Sequence, residues 1–533
     1  MYTILFDDPF YKSWTIFKND IVLVDLGLDL DLSPIKLLNG DKFSINLESN
    51  VDGNNDITII ESPIRQHKNI AGILDLSKTY GRENKLLYLC KPDDIRLPYF
   101  LIPYNIPPSF DKTKNNLYIT FQYKHWDNLH PHGVINQNIG TVLNPEHFYE
   151  YMLYCKGLNV SIQPFTKAFL KSIKSNESNE NDFKNIINNI CEKYGINTRT
   201  DRVFTIDSSS SIDLDDGISI KDNIISIYIS YVPIIIEYLN LWDSFTDRTS
   251  TIYLPDKKRP LIPLILSQLC SLNENEERIC LIMDIVIENG KLISNTITTG
   301  KVKIHKNYSY DDLQLLKNPD YNKIKNMCNY ENSHDMVTEL MIYFNTECAN
   351  RLKYFKTGIY KNINNNDISK LTNRIARKLS DYTYYSPESN YAQFTSPIRR
   401  LVDILNIIQL GLHLFIKGIH FYNTWYSRLD FMNLTMKNIR KTQSKCKLLD
   451  LFTNNAHQVF KGVVFDKYLH NKHDIVYKYN VYLPELDIIT NYTKSLNEFN
   501  ELNELIINNE YIFKIFVFHS EGQLKKKIKL QLQ

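Results

Sequence analysis

Short β-forming runs crowd both ends of this chain and give way to long helical runs in its middle, and that division limits what 533 residues can fold into. Residues 1 to about 145 break into TILF, DIVLVDL, KFSINL, DITIIES, IAGILDL, KLLYLC, YFLIPY and LYITFQY, separated by turn formers as in LNGDK and DGNND. Short strands punctuated this way build small barrels, and two OB-like barrels fit the length. The segment from His457 to Gln533 returns to the same character in VFKGVVFDKY, IVYKYNVYL and YIFKIFVFH, enough for a third. Between about Thr200 and Phe452, runs such as LVDILNIIQLGLHLF and HDMVTELMIYFNTECANRLKYF alternate with strands, the pattern of an α+β domain. Pro145 to Lys174 is helical, and SNESNEND, Ser175 to Asp182, reads as a polar linker.

Charge excludes little. Sixty-two basic residues nearly balance 60 acidic ones, so any basic path for a nucleic acid has to be local. The eight cysteines form no CxxC pair and have no His partners at zinc-ligand spacing, which makes them reduced thiols. MYTILFDDPFYKSW lacks the basic start and apolar run of a secretory signal, so the expectation is an intracellular protein. Ile224 to Trp242, IISIYISYVPIIIEYLNLW, nearly reaches a membrane-spanning length. Pro233, Glu237 and the β-branched residues before them predict a buried strand followed by a helix instead.

The stretch with most chemistry is FTIDSSSSIDLDDGISI, Phe204 to Ile220. An apolar strand delivers Asp207, and Asp213, Asp215 and Asp216 follow a serine-rich loop just before a second strand. Four carboxylates so close repel one another unless a cation sits among them. Mg²⁺ takes hard oxygen ligands, completes its shell with water and phosphate, and suits phosphodiester hydrolysis. A lone DxDD run is more often a solvated acidic loop, and the glycine and closing Glu of a calcium-binding EF-hand loop are absent.

A second segment, YAQFTSPIRRLVD from Tyr391 to Asp403, supplies context. Ser396 is a helix cap and Pro397 a first-turn residue, which predicts a helix from that point with Arg399 near its exposed start. Arginine is the wrong charge for a helix N-terminus, and an anion bound there resolves the conflict. The alternative is a surface pair of Arg399 with Asp403 at i,i+4 spacing.

Together these segments resemble the signature of the ribonuclease II (RNB) family, a TID and D-x-DD followed far downstream by Y-x-HFTSPIRRY. RTSTIYLPDKKRPLIPLILSQLCSL, Arg248 to Leu272, resembles the stretch containing the family's stacking tyrosine. Upstream, DIRLPYFLI, HWDNLHPHG, NIGTVLNPEH and IQPFTKAFL resemble the second cold-shock barrel of the catalytic exoribonuclease subunit of the eukaryotic RNA exosome and its relatives. The resemblance covers roughly residues 66 to 533 and implies a multidomain chain, an α+β RNB catalytic domain flanked by small all-β OB-fold barrels. Its parts would be a first cold-shock-like barrel over 1–65, a second with a trailing helix over 66–174, a linker over 175–199, the RNB domain over 200–456 and a C-terminal OB-fold barrel over 457–533.

The activity implied is hydrolytic 3′→5′ degradation of single-stranded RNA to nucleoside 5′-monophosphates. The cofactor implied is Mg²⁺, with Mn²⁺ as the alternative. Position by position, Asp207, Asp213 and Asp216 would hold the metal and Asp215 would be the carboxylate most needed for turnover. Arg399 would steady the scissile phosphate, Arg400 would contact backbone phosphate, and Tyr253 would stack on terminal nucleotides. Tyr310 would line the same channel or simply pack. The lysines at 525, 526, 527 and 529 would guide RNA or form a solvated tail. A monomeric catalytic unit, cytoplasmic rather than nuclear and off the membrane, with an exosome-like or other RNA-decay partner, completes the expectation.

Several family positions are altered. Gln393 replaces the usual His, Leu401 the closing Tyr, and Ile407 and Ile408 a His-Arg pair, while Tyr228 to Val232 stand where the family has HIADV. No counterpart of a downstream Glu is evident among Thr442 to Lys447. These departures open a rival reading, a slow or inactive RNA-binding protein on the same scaffold.

Overall fold

The computed structural model describes residues 1–18, 21–23, 36–46, 56–107, 114–175, 183–288, 291–361, 391–413, 415–451, 457–471, 476–486, 488–494, 505–519 and 526–533. Most of DIVLVDL, the DGNND turn before Asp56, residues 176–182 and Lys525 lie outside these. The chain divides into two compact units, one of residues 1–159, 254–256 and 441–533 and the other of residues 160–253 and 257–440.

The first unit holds three β assemblies. Strands Tyr2–Phe6, Trp14–Lys18, Ile21–Leu23, Lys42–Asn46 and Asp56–Glu61 form an antiparallel sheet in the order third, second, first, fourth, fifth. Ile4, Phe6, Ile16 and Phe43 cluster on its buried face, as the two-residue period of a strand requires. Strands Ile70–Arg82, Leu86–Pro92, Phe100–Tyr104, Leu117–His125 and His132–Thr141 close into a barrel, with the last strand parallel to the third. That closure is the five-stranded OB arrangement. The C-terminal strands His457–Asn471, Val476–Leu483, Ile488–Lys494, Glu510–His519 and Lys526–Leu532 repeat the strand order of the first sheet around Val464, Tyr479, Val481 and Phe513. The basic end is therefore the last strand of a sheet, with Leu530 buried and Lys529 exposed.

The second unit is built on another closed barrel, Val203–Asp207, Asp216–Lys221, Ile224–Ser230, Glu277–Glu288 and Lys291–Ser309. The long last strand returns parallel to the first. Ile224 to Trp242 resolves into the strand Ile224–Ser230 and the helix Val232–Tyr238, with Pro233 in its first turn and Ile225 to Ile236 buried. Among the described residues, no helix is long and apolar enough to cross a membrane. None of the eight cysteines is in a disulfide.

Three local features differ from the sequence reading. The stretch read as a linker over 175–199 contains the helix Phe183–Tyr194, because Ile186, Ile187 and Ile190 form a buried apolar stripe at helical spacing. The helix Gln163–Ser175, expected to trail the second barrel, groups with the second unit, where Ser172 Oγ donates to the Leu239 carbonyl at 2.8 Å. The helix expected from Ser396 begins only at Leu401. Asp403, fully buried, accepts a hydrogen bond from the Ser396 backbone N–H at 2.8 Å and another from Arg400 at 3.0 Å. These bonds hold 396–399 as a turn, with Arg400 extended as it enters the helix.

Behind that turn, the buried Asn406 side chain accepts from the Ile359 N–H at 2.8 Å and donates to the carbonyls of Ile359 and Gln393 at 2.9 and 3.0 Å. Leucine fills a similar volume but leaves three buried backbone groups unpaired. Asn406→Leu is expected to destabilise the second unit by on the order of 3 kcal/mol, read as a lower urea midpoint at unchanged slope. A loss well under 1 kcal/mol would mean that the backbone groups find other partners.

Candidate active site

The first two strands of the second-unit barrel carry two of the four aspartates to one place. Asp207 ends the strand Val203–Asp207 and Asp216 begins the strand Asp216–Lys221, which pairs with it through Phe204 and Ile218. Gly217 permits this approach. A Cβ there would meet Val203 Cγ1 at 3.0 Å and the Phe204 carbonyl at 3.3 Å.

The four carboxylates differ in what surrounds them. Asp213 is taken up by local donors: Lys258 Nζ lies 2.8 and 2.9 Å from its two oxygens, and Ser267 Oγ donates at 2.6 Å. The Tyr253 hydroxyl reaches its outer oxygen at 3.5 Å. Asp215 is only 2% exposed, and accepts from the Ile398 backbone N–H at 2.8 Å and from Arg399 Nε at 3.1 Å. Burial still pushes it up to about 7, against the opposing pull of Arg399 and the Ile398 N–H. The guanidinium stays charged at any working pH, so the contact is an ion pair wherever Asp215 is ionised.

Asp207 and Asp216 lie close enough to interact electrostatically, and Thr205 hydrogen-bonds to Asp207. Burial raises Asp207 to about 6, and its Oδ2 is buried with no hydrogen-bond partner. Burial, then the charges of Asp207 and Asp215, push Asp216 well above the usual carboxylate range. Two partly buried carboxylates that repel each other, one with a buried oxygen that has no hydrogen-bond partner, fit a hard divalent cation. Asp213, the third ligand expected from sequence, is in contact with Lys258 through both of its oxygens.

Arg399 is 42% exposed at its side chain and is braced from behind, donating to Ser396 Oγ at 2.9 Å. Arg400 turns inward instead, sharing Ser396 Oγ at 2.8 Å and pairing with Asp403. In place of the alternative i,i+4 pair of Arg399 with Asp403 stands an i,i+3 pair from the neighbouring Arg400, and a role for Arg400 on backbone phosphate gains no support. Tyr253, on the two-stranded hairpin with Lys258, leaves 46% of its surface exposed. Tyr310 is tied to the site by its N–H, which donates to the Asp207 carbonyl at 3.0 Å, and its ring stacks on His334 at 3.8 Å.

The altered family positions serve packing. Tyr228 is fully buried, with its hydroxyl engaged by Ser219 at 2.8 Å and Asp201 at 2.9 Å. Tyr231 packs against His413 and Phe415, and Leu401 is core. Gln393 is buried and its carbonyl receives Asn406. Lys258 and Ser267 were not singled out from sequence, and Ser396 and Asp403 were read there only as a helix cap and as the alternative partner of Arg399. The KKR run beside Tyr253 was the available signal for Lys258, whereas nothing local marks a serine that braces two arginines.

Residues 196–327 match the model of the RNB domain family. The chain is 27% identical over 208 residues to DIS3-like exonuclease 2 of Schizosaccharomyces pombe, covering 35% of this chain and 21% of that one. It is 35% identical over 125 residues to ribonuclease R of Mycoplasma genitalium, covering 21% and 17% of the two chains. The chain thus spans about a fifth of the length of these curated relatives. The fold matches solved M. genitalium RNase R over all of both chains, at 17% identity and a TM-score of 0.64 in its complex with ribose-methylated single-stranded RNA. In the double-stranded RNA complex the TM-score is 0.58 at 18% identity, over 89% of this chain and 97% of that one.

The raised carboxylates have a stability consequence with a definite sign. A carboxylate whose folded pKa exceeds its unfolded value stabilises the fold below about pH 4, and that contribution is lost as pH rises toward 6 to 7. In chelator, the thermal midpoint of the second unit should therefore fall across this window, and fall less steeply in Asp207→Asn. Adding Mg²⁺ at pH 7.5 should raise the midpoint of the wild type and leave that of Asp207→Asn unmoved. A midpoint indifferent to Mg²⁺ in both proteins would remove the cation from this site.

Proposed function

We propose that this chain, which carries an RNB domain over residues 196–327, is a metal-dependent hydrolytic exoribonuclease that shortens single-stranded RNA from its 3′ end and releases nucleoside 5′-monophosphates. The observation that carries the reading is the division of labour among the aspartates. Asp213 and Asp215 are matched to Lys258 and Arg399, while Asp207 and Asp216 keep unmatched negative charge at the end of two strands.

A cation held there, Mg²⁺ or Mn²⁺, supplies Lewis-acid polarisation of a phosphodiester and activation of water. The chain's own residues do the rest. Asp215 fixes the Nε edge of Arg399 and Ser396 holds one amino group, so the half-exposed guanidinium presents its remaining N–H donors to an anionic oxygen. Donors set in advance of the developing charge lower the barrier without reorganising during reaction. The exposed Tyr253 ring offers a stacking face for a base, with its hydroxyl tethered toward Asp213. Lys258 holds Asp213 without competing for the cation, and lowers the net negative charge an approaching phosphate meets.

One observation favours the rival reading of an RNA-binding protein. Lys258 occupies a carboxylate that the family resemblance assigns to the metal, and a site with fewer free ligands holds its cation less firmly.

Incubating 5′-labelled linear RNA and its circularised form with the full chain and Mg²⁺ decides between them. The exonuclease gives a ladder shortening from the 3′ end, leaves the circle intact and is abolished by Asp216→Asn. Arg399→Ala should lower the turnover number by about 10²- to 10³-fold. Tightly bound but intact linear RNA establishes the rival, and cleavage of the circle excludes an exonuclease.

A further inference from the structure

A cluster unrelated to the aspartates lies at one end of the closed barrel in the first unit. His125 ends the strand Leu117–His125, His132 begins the strand His132–Thr141, and the two are direct partners across the antiparallel pair. Opposed residues on neighbouring strands share a face, and their imidazoles lie with centroids 4.6 Å apart at 24°. Glu83 comes from the turn that links Ile70–Arg82 to Leu86–Pro92 and reaches the same point. Its Oε1 lies 2.9 Å from His132 Nδ1 and 3.7 Å from His125 Nε2.

We infer that Glu83, His125 and His132 form a binding site for a single divalent transition metal of the zinc type. One donor atom from each of the three residues lies within 4.8 Å of the others. Ligands of a tetrahedral zinc ion sit about 2.0–2.1 Å from the metal and so about 3.3 Å from each other, and the two measured separations straddle that value. His132 is 7% exposed, and its Nδ1 is buried without a hydrogen bond although it lies at ion-pair distance from Glu83. Two neutral imidazoles and one carboxylate are a donor set for zinc, nickel, cobalt or copper, whereas Mg²⁺ prefers oxygen alone.

The surroundings arrange these donors in advance. Asp127 Oδ2 lies 2.8 Å from His125 Nδ1, which favours the proton on that nitrogen and turns the Nε2 lone pair toward Glu83. Asp127 is itself anchored, because its carbonyl accepts from Lys36 Nζ at 2.7 Å. Lys124 takes the other oxygen of Glu83 at 3.3 Å, leaving Oε1 to the two histidines. The exposed side of Glu83 leaves the fourth position to water. A metal here ties the turn after the barrel's first strand to the ends of its fourth and fifth, so it acts as a structural clamp on the barrel.

Full-length protein stripped with chelator and dialysed into excess Mg²⁺, which fills any all-oxygen site, is titrated with Zn²⁺ and separately with Co²⁺. The expected result is one tightly bound equivalent, a rise in the thermal midpoint on Zn²⁺ addition, and a visible Co²⁺ spectrum of the intensity that four-coordinate cobalt gives. Glu83→Gln, at an exposed position that folding tolerates, and His132→Ala should each lose the equivalent. Asp127→Asn, which acts only through His125, should weaken binding about 10- to 100-fold. The proposal is overturned if wild-type protein shows only the faint spectrum of six-coordinate cobalt, or if it binds no more Zn²⁺ than Glu83→Gln does.

Discussion

The contact on which the second unit's site depends is the one between Asp215 and the Ile398–Arg399 backbone and side chain. It joins residues 184 positions apart, and both carboxylate oxygens are used, one by a backbone N–H and one by a guanidinium. A buried carboxylate costs several kcal/mol of lost hydration, so this one persists only because it is doubly satisfied. Its yield is geometric. Arg399 cannot swing to another partner without leaving Asp215 buried and unpaired, and the turn at 396–399 cannot relax into helix without giving up the bonds that Asp403 makes to Ser396 and Arg400. A lysine in place of Arg399 could reach the carboxylate but would not span Asp215, Ser396 and an incoming anion at once.

Much of this architecture is legible from local pattern. The alternation of short strands foretold small barrels at both ends, of which the strands from Ile70 to Thr141 close while the first and last groups are five-stranded sheets, and Pro233 correctly divided Ile224 to Trp242 into a strand and a helix. The aspartate spacing pointed to a cluster because a strand end, a loop and a strand start are all short-range features. What the sequence hid is set by contacts distant along the chain. Ser396 and Pro397 are a reasonable helix start by propensity, yet Asp403 bonds back to Ser396 and postpones the helix to Leu401. The stripe Ile186, Ile187 and Ile190 was readable at helical spacing, but the polar run before it drew the whole segment into a linker. Glu83 lies 42 positions before His125, and only barrel closure brings them together.

The departures from the family pattern take on a different meaning once placed. From sequence, Tyr228, Tyr231, Leu401 and Gln393 suggested a weakened shell around the metal ligands. In the fold Tyr228 lies in a barrel strand, Tyr231 precedes the helix Val232–Tyr238, Leu401 opens the helix behind the turn and Gln393 comes just before the turn, and all four are buried. Substitutions there act on rate only so far as they move Asp215 or the 396–399 turn, and Asn406 buttresses that turn from the far side through Gln393.

The charge count of the aspartate cluster leads to the same cation as its geometry. Four carboxylates stand against two cations in direct contact, Lys258 on Asp213 and Arg399 on Asp215, which leaves two unmatched negative charges, those of Asp207 and Asp216. Where charge cannot be matched, a buried pair takes up a proton, and the upward shifts at both positions express that tendency. A divalent ion balances the pair fully, whereas a proton balances only half of it. A third free carboxylate would hold the ion more tightly but leave less positive charge to attract phosphate. With the cation proposed at Asp207 and Asp216, the contact of Asp213 with Lys258 would trade affinity for that ion against attraction for an anionic substrate.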